Sequence, residues 1–281
     1  MIRALVTLPL LAGLLVGVSP QAQGVASAAP PSAERWALLV GVDHFEGRTR
    51  PNYGAVNDVG LFREILLKAG WSDDHIRVLT DGNARAADIR DGLRWLAERS
   101  TDRSLSVMHY SGHVKQVGST ESLWPHDNRF IPDTELASSL RQVKGRMWVD
   151  ISGCEAAGFD EGISAPNRLF TASSRSNEKS YELTAARQSV FTMLLAQQGM
   201  LEGDADANHD RRVSVQEAFA YAADRAPGLS ASGPNGPQHP QTSGWDGSEL
   251  FLDDVEAQAV APGPQCPGLS ILGIFCLPKI L

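Results

Sequence analysis

The sequence lacks the signatures of the common cofactor enzymes. No two of its 26 glycines stand two apart, and no Gly-Lys pair occurs, so the dinucleotide fingerprint and the phosphate-binding P-loop are both absent. It holds three cysteines and no C-x-x-C, which excludes zinc ribbons and thioredoxin-type redox chemistry. Positive charge is scarce: 25 Lys+Arg stand against 33 Asp+Glu, a formal charge of −8. A chain without a cationic surplus is not built to neutralise phosphates, so nucleic acid is excluded as the main partner. Long apolar runs are missing too. The stretches 4–18 and 269–281 both fall short of the ~20 residues a bilayer-spanning helix needs, so no stable membrane span is expected. What the sequence does have is 281 residues at 42% hydrophobic, enough for one large globular core and too apolar for wholesale disorder.

The two ends differ from the body. Residues 1–28 read as a secretory signal, with Arg3, an apolar stretch at 4–18 and the small-x-small site Ala26-Ser27-Ala28, and they predict a secreted, extracellular protein. Residues 256–281 form a Pro- and Cys-containing apolar tail. In an oxidising compartment Cys266 and Cys276 are expected to pair with each other, leaving Cys154 as a free thiol that needs an explanation.

Between the ends, short apolar runs alternate with helical periodicity. Strands are expected at 36–42, 75–79, 105–110, 147–151, 168–172 and 250–252. Val59, Phe62, Leu66 and Ala69 fall on one helical face, with Asn57 and Asp58 as its caps and Gly70 as its end. Ile89, Leu93 and Leu96 mark a second helix, and 133–142 a third. Residues 226–248, rich in Pro, Gly and Ser, read as a long loop. Alternating strands and helices predict an α/β fold with a mostly parallel sheet covered on both faces.

In such sheets reactive side chains gather at the carboxyl ends of the strands. Two ends carry them here: one runs through Tyr110-Ser111-Gly112-His113, the other through Asp150-Ile151-Ser152-Gly153-Cys154. A thiol becomes a useful nucleophile beside a base, which a histidine on a neighbouring strand end can supply.

These segments resemble the caspase-like cysteine peptidases, in the branch of bacterial metacaspase-like proteins. Tyr110-Ser111-Gly112-His113 is similar to the family's Y-S-G-H-G motif, and Cys154 through Phe159 to its cysteine motif. Gly54 to Asp58, Trp124 to Asp127, Ile131 to Leu136, Thr171 to Ser174 and Glu178 to Glu182 resemble the segments around them. The resemblance implies a caspase-like three-layer α/β/α sandwich of about six strands over 35–255, and a cysteine endopeptidase acting on protein or peptide substrates. It implies Cys154 as nucleophile, His113 as base and acid, an oxyanion hole of backbone N–H groups around Gly112, Val114 and Cys154, and no cofactor for the chemistry. Val114 stands where the family has Gly, and a β-branched residue resists a positive φ. Ser152 stands where the family has an acid two residues before the cysteine, with Asp150 four before it, so Asp150 and Ser152 are the specificity candidates. Glu155 beside the thiol disfavours the thiolate. The alternative is a catalytically inactive, calcium-stabilised binding or scaffold protein of the same fold.

Calcium enters through a separate pattern at 206–217. Asp206, Asn208, Asp210, Ser214 and Glu217 occupy positions 1, 3, 5, 9 and 12 of a twelve-residue loop, with the Arg212 carbonyl at 7 and Val213 at 8. That is the spacing of an EF-hand loop. Arg211 replaces the Gly of position 6, which weakens the turn.

Overall fold

The computed structural model describes residues 34–245 and 247–253; residues 1–28, expected to be a signal, the tail and both of its cysteines lie outside them. The first half runs β1 (Arg35–Gly41), α1 (Ala55–Lys68), β2 (Ile76–Thr80), α2 (Ala86–Arg99) and β3 (Leu105–Ser111). Then come β4 (Val114–Val117), β5 (Thr120–Leu123), β6 (Ile131–Pro132), α3 (Asp133–Leu140), β7 (Arg146–Ser152) and α4 (Asp160–Ile163). The last part has β8 (Arg168–Ala172), β9 (Glu182–Leu183), β10 (Gln188–Ser189), α5 (Val190–Thr192) with π-helical turns over Met193–Leu201, α6 (Val215–Ser230) and β11 (Gln241–Gly244).

Six strands form the main sheet in the order β11-β8-β7-β3-β1-β2. All pairings are parallel except β11 against β8. Alternate residues of the central strands feed two separate cores. Leu38, Val40, Met108, Tyr110, Val149 and Ile151 meet α2 and α3 on one face. Ala37, Leu39, Val107 and Trp148 meet α1, the 190–201 helix and α6 on the other. This is the expected α/β/α sandwich, with the carboxyl ends of β1, β3 and β7 level with one another.

Three local expectations are corrected. The sixth strand is β11, not 250–252. Leu250 and Leu252 are buried without joining the sheet, while the polar run Gln241–Gly244 pairs through its backbone with an edge and so carries no apolar period. The 226–248 segment is only partly loop. Helix α6 continues through Pro227 to Ser230, because Ala218, Ala222, Ala226 and Ser230 line one buried stripe at four-residue spacing. Asn57 and Asp58 are not the caps of α1. The helix begins at Ala55, and the Asp43 carboxylate accepts from Ala55 N at 2.8 Å and Val56 N at 3.4 Å, which supplies the cap from another strand end.

Candidate active site

The sheet's carboxyl edge brings His113 and Cys154 to one cleft by register. Ser111 and Ser152 are partners at the ends of β3 and β7, and Gly112 N continues the pairing to Ser152 O at 3.1 Å. His113 and Cys154 each stand two residues further on, and both line a cleft of about 410 Å³.

His113 is held on several sides. Its Nε2 lies 2.8 Å from the Arg50 carbonyl oxygen. A carbonyl only accepts, so Nε2 carries the proton and Nδ1 is left as the basic nitrogen. The ring stacks on Phe45, with centroids 5.0 Å apart and planes 14° from parallel, and leans on Trp124 at 5.7 Å. Tyr110 Oη donates to the His113 carbonyl at 2.6 Å and accepts from Trp124 N at 3.0 Å, which fixes the chain as it leaves β3. A side chain at Gly112 would place its Cβ 2.8 Å from that Tyr110 oxygen, so the glycine is needed for close approach.

Cys154 is half-buried on a tight turn. At Gly153 a Cβ would meet Gly112 O at 2.8 Å and Val114 Cγ2 at 2.9 Å, so the two turns interlock. Glu155 takes a left-handed φ of 50°, a cost that surrounding structure must offset. Its N–H donates to Glu178 O at 2.8 Å, and its carboxylate pairs with Lys179.

Burial pushes the Cys154 thiol up, with Glu155 and Glu182 adding to it and Lys179 opposing. Burial also pulls His113 down; the Arg50 carbonyl works against that and the Arg50 guanidinium with it. Both shifts favour the uncharged forms, a neutral thiol and a neutral imidazole. The Glu155 charge that the sequence sets against the thiolate is met by Lys179, which the spacing of residues gives no means of foreseeing.

The oxyanion expectations divide. The Gly112 N–H already donates to Ser152 O, which removes it as an oxyanion donor. Val114 is not among the residues with positive φ; it opens β4 in extended backbone, so the strain expected there does not arise. Trp124 N donates to His113 O at 3.2 Å. That makes His113–Trp124 a bonded pair and Val114–Leu123 an unbonded one, with the Val114 N–H turned away from β5. Cys154 N has no hydrogen-bond partner among the described residues.

The specificity candidates divide as well. Ser152 lines the cleft and donates to Ser189 Oγ at 2.9 Å. Asp150 does not reach it. The period of β7 turns Asp150 to the α1 face, where it is wholly buried in a ladder with its register partners His109, whose Nδ1 is 2.8 Å away, and Thr171. The carboxylate that does underlie the cleft is Asp58, which the sequence suggested as a helix cap. It is fully buried, accepts from Ser111 Oγ at 2.7 Å and Ser189 N at 3.1 Å, and is pushed up to about 6, by burial above all. Ser111 and Ser189 themselves line the cleft. Arg50 was missed for a different reason: it acts through a backbone carbonyl, which every residue has.

The 206–217 loop forms its turn but not a cage. Arg211 adopts the left-handed φ, 71°, that position 6 requires. Asp206 accepts from the N–H groups of Asp210 at 3.1 Å and Arg211 at 3.0 Å, Asn208 from Asp210 N at 2.9 Å, and Asp210 from Arg212 N at 2.8 Å. Ser214 and Glu217 form a reciprocal capping box at the start of α6. Among the described residues no three His, Cys, Asp or Glu side chains group as metal ligands. The carboxylates accept from backbone N–H groups and do not converge as they stand, while each oxygen keeps a lone pair free for a cation. No described helix is long and apolar enough to cross a membrane.

Comparison with known proteins agrees with the geometry. The sequence model of the caspase domain, a family of peptidases, matches residues 34–244. The chain is 30% identical over 145 residues to metacaspase-9 of Arabidopsis thaliana, covering 45% of this chain and 44% of that protein. It is 33% identical over 94 residues to metacaspase-1 of Mycosarcoma maydis, covering 31% and 23%. The matches thus span less than half the length of these relatives. A crystal structure of a Geobacter sulfurreducens protein superposes with a TM-score of 0.61 at 14% identity, over 79% of this chain and 99% of that one, a likeness of fold.

Proposed function

Since this chain belongs to the caspase domain family of cysteine peptidases, we propose that it is a secreted endopeptidase with Cys154 as nucleophile and His113 as base and acid. The observation that carries the proposal is the register of β3 and β7, which sets His113 and Cys154 on one cleft with the histidine's Nε2 tied to Arg50 O. Export rests on the pattern of residues 1–28; recovery of the mature protein from culture medium, starting near Ala29, is its test.

The steps follow from that geometry. As substrate binds, Nδ1 of His113 takes the thiol proton and the thiolate attacks the scissile carbonyl carbon. The C=O electron pair moves to oxygen, and the N–H groups of Val114 and Cys154 are the candidates to receive that charge. The tetrahedral centre collapses, the C–N bond breaks, and the imidazolium proton passes to the leaving amine. A water molecule, losing its proton to His113, then attacks the thioester; the acid product leaves and the proton returns to sulfur. Lys179 is paired with Glu155. Glu182 on the cleft wall and Asp58 beneath its floor outnumber Arg50, itself attracted to Glu182, which favours a basic side chain in the substrate. A peptide-library cleavage profile tests this: basic residues before the cut support it, and acidic ones sink it. The raised thiol favours a second reading, a silent fold acting as a binding module, and the reactivity of Cys154 separates the two.

A further inference from the structure

The turn that follows Cys154 is braced from outside the cleft. Glu155 N donates to the Glu178 carbonyl at 2.8 Å, so the left-handed residue next to the nucleophile hangs on Glu178. Glu178 is in turn held by a segment far along the chain. Its carboxylate accepts from His239 N at 2.9 Å and from His239 Nδ1 at 2.8 Å. Arg175 adds Nη1 at 3.1 Å and its backbone N at 3.4 Å, while Glu178 N returns to Arg175 O at 3.1 Å. Burial pushes the Glu178 carboxyl up, and the bonds from His239 and Arg175 outweigh it and hold the group below its usual range.

The segment that carries His239 is itself stiff. Pro237 and Pro240 flank Gln238 and His239 and restrict their backbone. Gln238 is wholly buried; its Oε1 accepts from Tyr181 N at 2.9 Å and its Nε2 donates to Ser173 O at 3.0 Å. Tyr181 Oη donates to Gly236 O at 2.8 Å. The strap therefore grips the 173–181 loop on both sides of Glu178. Glu178 and His239 do not line the cleft, although Lys179, Ser180 and Tyr181 do.

We propose that Glu178 and His239 are a positioning pair for the nucleophile, fixing through the Glu178 carbonyl the strained turn on which Cys154 sits. Its kinetic consequence rests on the peptidase reading, but its effect on the thiol does not. A reactive group must be held within fractions of an ångström, and a loosened support is felt as lost rate rather than lost binding.

The test compares His239→Ala, His239→Asn and Glu178→Gln with the wild type, in kcat, in KM and in the rate at which iodoacetamide alkylates Cys154. Melting curves confirm that each variant is folded. His239→Ala should lower kcat and the alkylation rate about tenfold each, the effect of losing one charge-assisted hydrogen bond, with KM within about twofold. His239→Asn, whose amide can replace the Nδ1–H donor, should restore both to within about twofold. Glu178→Gln, which keeps the carbonyl and weakens the clamp, should fall between, and guards against a His239→Ala variant that does not fold. Wild-type alkylation in His239→Ala, or a His239→Asn as slow as His239→Ala, overturns the proposal. A wild type that cleaves no peptide, with Cys154 still slowed in His239→Ala, sinks the peptidase reading and upholds the pair.

Discussion

The cleft and the 206–217 loop make opposite use of their sequences. The cleft draws Arg50, His113, Cys154, Lys179 and Glu182 from across the chain, and the parallel register of β3 and β7 brings His113 and Cys154 onto it. The loop holds all its candidate ligands within twelve residues, yet their side chains turn to the backbone N–H groups beside them. Local spacing fixes which groups are near, not which way they face. Strand register fixes both, because side-chain direction alternates with a period of two and partner residues lie level.

The comparison breaks most sharply if the cleft can lose its convergent pair and still work. Cys154→Ala should abolish peptide cleavage while the melting temperature stays within a few degrees, since a small half-buried thiol gives way to a small apolar group. His113→Ala should lower kcat/KM by several orders of magnitude, as expected when a nucleophile loses its base. Activity near wild type in either variant would show that the cleft residues are merely adjacent.

A pH profile sharpens the same point. The thiol is pushed up and the imidazole down, so through neutral pH both are uncharged and the thiolate is scarce. Alkylation of Cys154 in the free enzyme should therefore be slow at neutral pH. It should climb about tenfold per unit on the alkaline side until the thiol titrates. A fast plateau reaching down into the acid range would mean a preformed thiolate–imidazolium pair, and would sink the neutral resting state.

Val114 is the next test. The sequence makes it a strained substitute for glycine, so Val114→Gly would be expected to help. The structure reverses the sign. Val114 is extended, and its Cγ2 lies where a Cβ on Gly153 would collide; removing the side chain leaves the two interlocked turns a gap. Val114→Gly should lower kcat by about tenfold, a size typical of slight misplacement of a reacting group. A gain in kcat would restore the strained reading.

Much of the fold was legible because burial writes it into the sequence. The run at 36–42 is apolar throughout, and those at 105–110 and 147–151 carry apolar residues on both faces despite Ser106, His109 and Asp150, as covered central strands do. Strand β11 was not legible: Gln241–Gly244 pairs through its backbone at an edge and needs no apolar face. The placement of His113 and Cys154 on one cleft was legible because both residues follow strand ends. Its support was not, since Arg50 and Glu178 contribute carbonyls that no side-chain pattern announces. Asp150 and Asp58 show the limit from another side. Asp150 lies four residues from Cys154 and Asp58 far from it in sequence, yet the strand period and helix placement put Asp58 under the cleft and turn Asp150 to α1.

The smallest effect concerns the loop itself. Ser214 Oγ accepts from Glu217 N at 3.1 Å, and Glu217 Oε2 accepts from Ser214 N at 2.9 Å. Each bond satisfies an N–H at the start of α6 that has no partner within the helix. Glu217→Ala removes one of the two and should destabilise the domain by ~1 kcal/mol, a fall of about 2–4 °C in melting temperature for a domain of this size. An ion that binds only the folded form would raise melting by mass action. With Glu217 turned to its own helix and no three acidic side chains grouped among the described residues, calcium at ~10 mM, above the weak extracellular range, should leave the wild-type melting temperature unchanged. The Glu217→Ala deficit should then be the same with and without the ion. If calcium instead stabilises the wild type and the variant gains nothing, the loop side chains swing inward to ligate. Local spacing would then have predicted convergence after all, and the contrast with the cleft would fail.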